Sequence, residues 1–290
     1  MKKQKEGFLK VEGGKIWFER LGKQKNIPLV LVHGGPGYPH YGLNPLRKLD
    51  KDRTVVFYDQ LGCGKSDRPK NKKLWRVDRF VEELEALRNH LGFEKMYLLG
   101  HSWGGALVAE YSLKYQKHVA GIVFAGPLLS TPRWILEANR LKKTLPLASQ
   151  KIIDKHEKNG TTDSKEYGNA TKNYYKRYWC RLAKTPKEIL KNRKEAGKDV
   201  YSTMWGPSEF HCTGNLKNFD CTPRLPEIKL PVLFTCGRFD EAGVDAVKDF
   251  QKLIKGSKMK IFEKSAHQAQ LEETEKYLQI VGKFLNEVDR

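Results

Sequence analysis

The stretch KMYLLGHSWGGALVAEYSLKYQ, residues 95–116, constrains the fold more than any other. A short apolar run enters the turn Gly100-His101-Ser102-Trp103-Gly104, and a helical pattern leaves it. An apolar run without polar alternation reads as a strand buried on both faces, which calls for helices above and below a largely parallel sheet. PLVLVHGG, TVVFYDQLG and AGIVFAG repeat the form. Before residue 95 comes a helical pattern over 78–91, with Phe80, Leu84, Leu87 and Leu91 on one face and Asp78 as its expected N-cap. FLKVE and KIWFERLG around Gly13-Gly14 read as an opening hairpin. Alternation of this kind predicts an α/β fold with a mostly parallel sheet and flanking helices.

The rhythm stops after Pro127. Residues 128–226 carry no buried-strand run, only amphipathic, aromatic-rich stretches such as WILEANRLKKTL and NYYKRYWCRL. It resumes with VLFTCG, VDAVKDFQKLI and KMKIFEKS. The closing helix, ETEKYLQIVGKFLNEV, puts Tyr277, Val281, Phe284 and Val288 on one face. The expected organisation is therefore a core built from 1–127 and 227–290, with a helical cap inserted at 128–226.

Lys and Arg number 54 against 34 Asp and Glu, a formal charge of +20. The basic residues are spread along the chain, and no zinc finger, RNP-type aromatic pattern or KH clamp accompanies them. The charge therefore speaks for a Lys-rich surface and not for a nucleic-acid partner. No apolar run reaches the roughly 18–20 residues of a membrane span, and the N-terminus has no leader-like apolar segment. The five cysteines show no C-x-x-C spacing, so reduced thiols in a cytoplasm are expected, with Cys212–Cys221 as the one pairing left open. No metal site or organic cofactor is expected. Nothing in the sequence indicates an oligomeric state.

A G-x-S-x-G turn between strand and helix lifts a serine hydroxyl onto its tip and aims the helix N-terminus, with the Trp103 N–H, at a developing oxyanion. Serine needs a base, and in this architecture an acid and then a histidine follow it in the chain. Asp240 follows the VLFTCG strand and His267 follows KMKIFEKS, so both belong at carboxyl ends of late strands. Ser102 is the expected nucleophile, His267 the base, and Asp240 the carboxylate that orients the imidazole. In LVHGGPG, Gly35 is the expected second oxyanion donor, since a glycine loop brings a backbone N–H close without a side chain in the way. Beside Asp240 stands a second carboxylate, Glu241. Read alone, it is either a solvated loop residue or a group that holds substrate.

HGGPG, DQLGCGKS, GHSWGG, GRFDE and SAHQAQLEE, in this order around a cap, resemble the proline iminopeptidases, α/β-hydrolase serine exopeptidases that remove one N-terminal residue. The resemblance spans essentially the whole chain, including WGPSEFHCTGNLKNFD in the cap, which is similar to the family's G-P-x-E-F…T-G element. It implies that Glu209 and Glu241 hold the free amino group of a short peptide. An α-amino group with a pKa near 8 is largely cationic at neutral pH, and two carboxylates suit it. The bacterial branch usually carries arginine where Leu61 stands and often methionine where Gln268 and Gln270 stand, which bears on how strict the proline preference is. A carboxylesterase using the same triad is the alternative. The cap aromatics Trp134, Tyr174, Tyr175, Tyr178, Trp179 and Trp205 are candidates for the pocket wall or for simple core.

Overall fold

The computed structural model describes residues 5–23 and 26–290; the start of the N-terminal stretch, residues 1–4, lies outside the described residues. Eight strands form one sheet: β1 (Lys5–Val11), β2 (Gly14–Leu21), β3 (Leu29–Val32), β4 (Val55–Tyr58), β5 (Met96–His101), β6 (Val119–Ala125), β7 (Val232–Gly237) and β8 (Lys258–Phe262). Their order is β1-β2-β4-β3-β5-β6-β7-β8, with the first two strands antiparallel to their neighbours and the rest parallel. The turn of the opening hairpin lies one residue earlier than expected. Val11 pairs directly with Gly14, so the turn is Glu12-Gly13, and Gly13 takes a φ of 91° that favours glycine.

Each central strand feeds both faces of the sheet, as its unbroken apolar run requires. Val30, Val32, Val56, Tyr58, Leu98, Ile122 and Phe124 pack on one side, and Leu29, Leu31, Val55, Phe57, Tyr97, Leu99 and Val123 on the other. The first face is covered by α1 (Val77–His90), α2 (Trp103–Tyr115) and a later helix, Val244–Leu253, called α8 below. Phe80, Leu84 and Leu87 are fully buried there. The second is covered by a 3-10 segment, His40–Lys51, which no sequence period announced, and by the closing helix. Asp78 is not the N-cap of α1. Arg76 holds that position without a side-chain cap bond, and Asp78 sits in the first turn, ion-paired to Arg76 at 2.9 Å.

Between β6 and β7 the chain runs through α3 (Thr131–Lys142), α4 (Leu147–Asn159), α5 (Lys165–Tyr174), a π-helical turn Tyr175–Trp179, α6 (Lys187–Lys194) and α7 (Lys198–Met204). After β7 come α8 (Val244–Leu253), β8, the short α9 (Ala269–Glu272) and α10 (Thr274–Val288), whose Tyr277, Val281 and Phe284 are buried. All five cysteines are free, so Cys212 and Cys221 are unbridged. No helix among the described residues is long and apolar enough to cross a membrane.

One ion pair inside this core is energetically exposed to mutation. Arg79 and Glu83, one turn apart on α1, are 1% and 0% exposed and approach to 2.5 Å, while Glu83 also accepts from the Leu61 N–H at 3.3 Å. Burial pushes the Glu83 carboxyl up to about 6 against the opposing pull of Arg79. Arg79→Met leaves that carboxylate uncompensated and is expected to cost about 3–5 kcal/mol at pH 8. Part of the loss returns at pH 5, where the raised carboxyl takes up a proton and stops being a buried charge. Urea unfolding at the two pH values checks both the loss and its recovery.

Candidate active site

Ser102 lies at the carboxyl end of β5 and is the N-cap of α2, with φ 58° and ψ −123°. Among the described residues it is the only non-glycine with positive φ, a strained conformation of the kind that clusters at functional sites. The sharp turn exists because its flanks are bare. A Cβ on Gly100 would stand 2.3 Å from the Gly104 carbonyl oxygen, and one on Gly104 2.2 Å from that of Val32. Ser102 keeps some solvent exposure while His101 and Trp103 are buried.

His267 and Asp240 come from the loops after β8 and β7. The imidazole Nδ1 donates to Asp240 Oδ1 at 2.7 Å, and both side chains are 2% exposed. Asp240 also accepts from the Ala242 N–H at 2.9 Å and the Gly237 N–H at 3.4 Å. Burial alone would raise the Asp240 carboxyl, yet the adjacent imidazole and these donors hold it below its usual range. For His267, burial pulls down but Asp240 outweighs it, so its pKa lies above the ordinary histidine value. Two neighbouring imidazoles stay neutral because burial denies them a proton: His33 is lowered to about 4 and His101 to about 3. His101 Nε2 donates to the His267 carbonyl at 2.9 Å and so braces the backbone of that loop. Positive charge in this cluster therefore gathers on His267.

The loop after β3 places Gly35 against the same cavity as Ser102. Neither the Gly35 nor the Trp103 N–H is engaged by another hydrogen bond among the described residues. The Trp103 indole is committed elsewhere, donating to Gln60 Oε1 at 2.9 Å. Gln60 in turn donates to the His33 carbonyl at 3.0 Å, which ties the glycine loop to the serine turn.

Ser102, His267, Glu209 and Glu241 line one cavity of about 310 Å³. Glu241 is 1% exposed, and its Oε2 has no hydrogen-bond partner. Its Oε1 is 4.0 Å from His267 Nε2. Glu209, also on the cavity wall, accepts from the Tyr201 hydroxyl at 2.8 Å. Burial raises both carboxyls, and Glu209 together with Asp240 raises Glu241 further. Two desolvated carboxyls, one with an orphaned oxygen, are costly to leave without a partner and are relieved by a cation that brings its own N–H donors.

The chain between β6 and β7 holds this site together. The Tyr178 carbonyl accepts from the N–H of both Glu241 (3.1 Å) and His267 (3.3 Å). Trp134 packs edge-on to His267, with ring centroids 5.6 Å apart. Gly197 N–H donates to the Gly37 carbonyl at 2.7 Å, anchoring the glycine loop. Of the six aromatics singled out in the sequence, Tyr175 and Trp179 line the cavity, whereas Trp134, Tyr174, Tyr178 and Trp205 are core. Tyr38 and Tyr201 line it as well, without any sequence signal to mark them. Leu61 is fully buried away from the cavity, while Gln268 is on its wall and accepts from Gln270 at 3.0 Å.

His33, Asp59 and Cys63 also cluster, close enough to suggest a metal. Their polar atoms are already spoken for: His33 Nε2 accepts from the Gln60 N–H at 2.9 Å, and Asp59 accepts from His40 and from the Lys65 N–H. The cluster is a hydrogen-bonded brace under the glycine loop.

A family model described as alpha/beta hydrolase fold matches residues 27–274. A proline iminopeptidase from Heyndrickxia coagulans is 47% identical over 98% of this chain and 99% of its own. Another from Saccharolobus solfataricus is 39% identical over 98% and 93%. Among solved structures, that of VinJ superposes with a TM-score of 0.94 at 34% identity, over 98% of this chain and 99% of that one. The proline iminopeptidase of Mycobacterium smegmatis follows with a TM-score of 0.90 at 30% identity and the same coverage. With the fold, the strained serine turn and the paired glutamates already in view, these full-length likenesses mean that the chain belongs to the proline iminopeptidase family of α/β hydrolases.

Proposed function

We propose that this protein is a serine aminopeptidase that releases an N-terminal residue, preferentially proline, from short peptides. The observation that carries the reading is the buried, unpartnered Oε2 of Glu241, which shares a cavity with Glu209 and Ser102. The substrate's ammonium sits between the two carboxylates, and segment 128–226 acts as a cap that leaves no room upstream of it. This anchoring brings the first peptide carbonyl, and no later one, to Ser102.

In the first half-reaction Ser102 Oγ bonds to that carbonyl carbon while His267 Nε2 takes the hydroxyl proton. The oxyanion is held by the N–H groups of Gly35 and Trp103. Asp240 supports the imidazolium through Nδ1. The C–N bond then breaks, His267 returns the proton to the leaving amine, and a prolyl ester remains on Ser102. Water, deprotonated by His267, adds to the ester carbonyl; the bond to Ser102 Oγ then breaks, His267 returns the proton to Oγ, and proline is freed. Five free thiols, three of them buried, support a cytoplasmic setting.

Anilides of proline, alanine and leucine, assayed beside an N-blocked p-nitrophenyl ester, test the proposal. Proline anilide is expected to be hydrolysed fastest of the three and at least about tenfold better than an N-acetylated proline anilide, the worth of a charge-assisted anchor. Efficient ester hydrolysis with no cleavage of any free-amino anilide overturns it in favour of a carboxylesterase.

A further inference from the structure

The cavity that holds Ser102 also carries a cationic group. Among its lining residues Arg193, near the C-terminus of α6, is the one Lys or Arg. No carboxylate among the described residues pairs with it; its guanidinium lies 5.6 Å from the Trp179 ring centroid. At the Tyr38 hydroxyl its positive charge opposes the negative charges of Glu209 and Glu241. The lining of the cavity thus carries two carboxylates and one guanidinium.

Arg193, Tyr175 and Trp179 also line a neighbouring groove, where Lys172 and Lys176 join them. This groove opens through a strongly basic segment: residues 165–198 hold eleven Lys and Arg against three Glu. Of those three, Glu195 is occupied by the Tyr41 hydroxyl at 2.6 Å and Glu166 by His156 at 2.8 Å. The bias therefore stays uncompensated where the two cavities meet.

We propose that Arg193 is a specificity residue that receives the free C-terminal carboxylate of a short peptide, with Lys172 and Lys176 drawing that carboxylate in. This rests on the aminopeptidase reading above: with the ammonium held by Glu209 and Glu241, the residues beyond the scissile bond must leave toward the rest of the cavity. A zwitterionic di- or tripeptide matches the charges at both ends. An amidated peptide, or an internal stretch of a long chain, matches only one. Guanidinium–carboxylate pairs are short and directional, and at a partly exposed site they contribute modestly and weaken with salt.

The test measures kcat/KM for Pro-Ala, Pro-Ala-Ala and their C-terminal amides, and takes the acid-to-amide ratio within each variant, so that general losses cancel. The wild-type ratio is expected to reach about fivefold or more for at least one length at low ionic strength and to shrink in 0.5 M salt, about the effect of one partly exposed charged pair. Arg193→Gln is expected to bring the ratio to about one, and Arg193→Lys to restore part of it. A wild-type ratio near one at both lengths overturns the proposal, as does a ratio that survives Arg193→Gln while both rates fall together. In those outcomes cleavage of proline anilide still upholds the aminopeptidase reading. If no prolyl substrate is cleaved, that reading falls and this proposal with it.

Discussion

Ser102→Ala is expected to lower kcat/KM on proline anilide by about 10⁵-fold or more, the scale seen when a serine nucleophile is removed from an intact triad. The residual rate should come from the two N–H donors and from binding alone. The fold should not suffer. Ser102 Oγ makes no hydrogen bond to another described residue, and its main-chain turn is set by the bare flanks at Gly100 and Gly104. Thermal unfolding should therefore stay within about 1 °C of wild type, the range of a substitution that removes no packed atom. A fluorophosphonate probe should label the wild type and leave the variant unmarked. Full activity in the variant would remove Ser102 from the mechanism.

Glu241→Gln is expected to move activity and stability in opposite directions. Activity on free-amino anilides should fall about 10²- to 10³-fold, as when one partner of a buried charge pair is lost. An N-blocked ester should fall far less. Stability follows from linkage. The folded-state pKa of Glu241 is raised by burial and by Glu209 and Asp240. A raised carboxyl adds stability below its unfolded pKa, and that stability is lost as pH rises through the folded pKa. As pH rises toward 8 the wild type therefore loses stability that the non-titrating amide keeps, so the variant's Tm should be higher there by about 2 °C or more. Near pH 4, where both side chains are neutral, the gap should close. The wild-type pH–rate profile should lose activity on the acid side as His267 protonates, at a pH above the ordinary histidine value because Asp240 raises it. Equal losses on free-amino and blocked substrates would remove the ammonium anchor from the account.

Much of this architecture is written in local pattern. Unbroken runs such as LVLV and VVFY can only be strands covered on both faces, and the 4-3-4 spacing in α1 can only bury one stripe. Glycine flanks around Ser102 show a turn too tight for any side chain, and an acid and a histidine after late strands arrive at the same edge of the sheet by topology. Signals without a period were missed. The 3-10 segment His40–Lys51 has no helical repeat to read, and the start of α1 carries no capping signal because Arg76 supplies no cap bond.

The decisive features of the recess depend on distance through space. Residue order could pair Asp240 with Glu241, but not say that one would be saturated by His267 and two N–H groups while the other kept an oxygen bare. It could list six aromatics between residues 128 and 226, but not separate the two on the cavity wall from those in the core. A single carbonyl, that of Tyr178, accepts from the N–H of both His267 and Glu241, from a segment some 60 to 90 residues away in sequence. Periodicity encodes which way each side chain faces within its own element, since that is fixed by backbone geometry. Desolvation and charge coupling arise only when separate elements exclude water together, and so they belong to the folded chain.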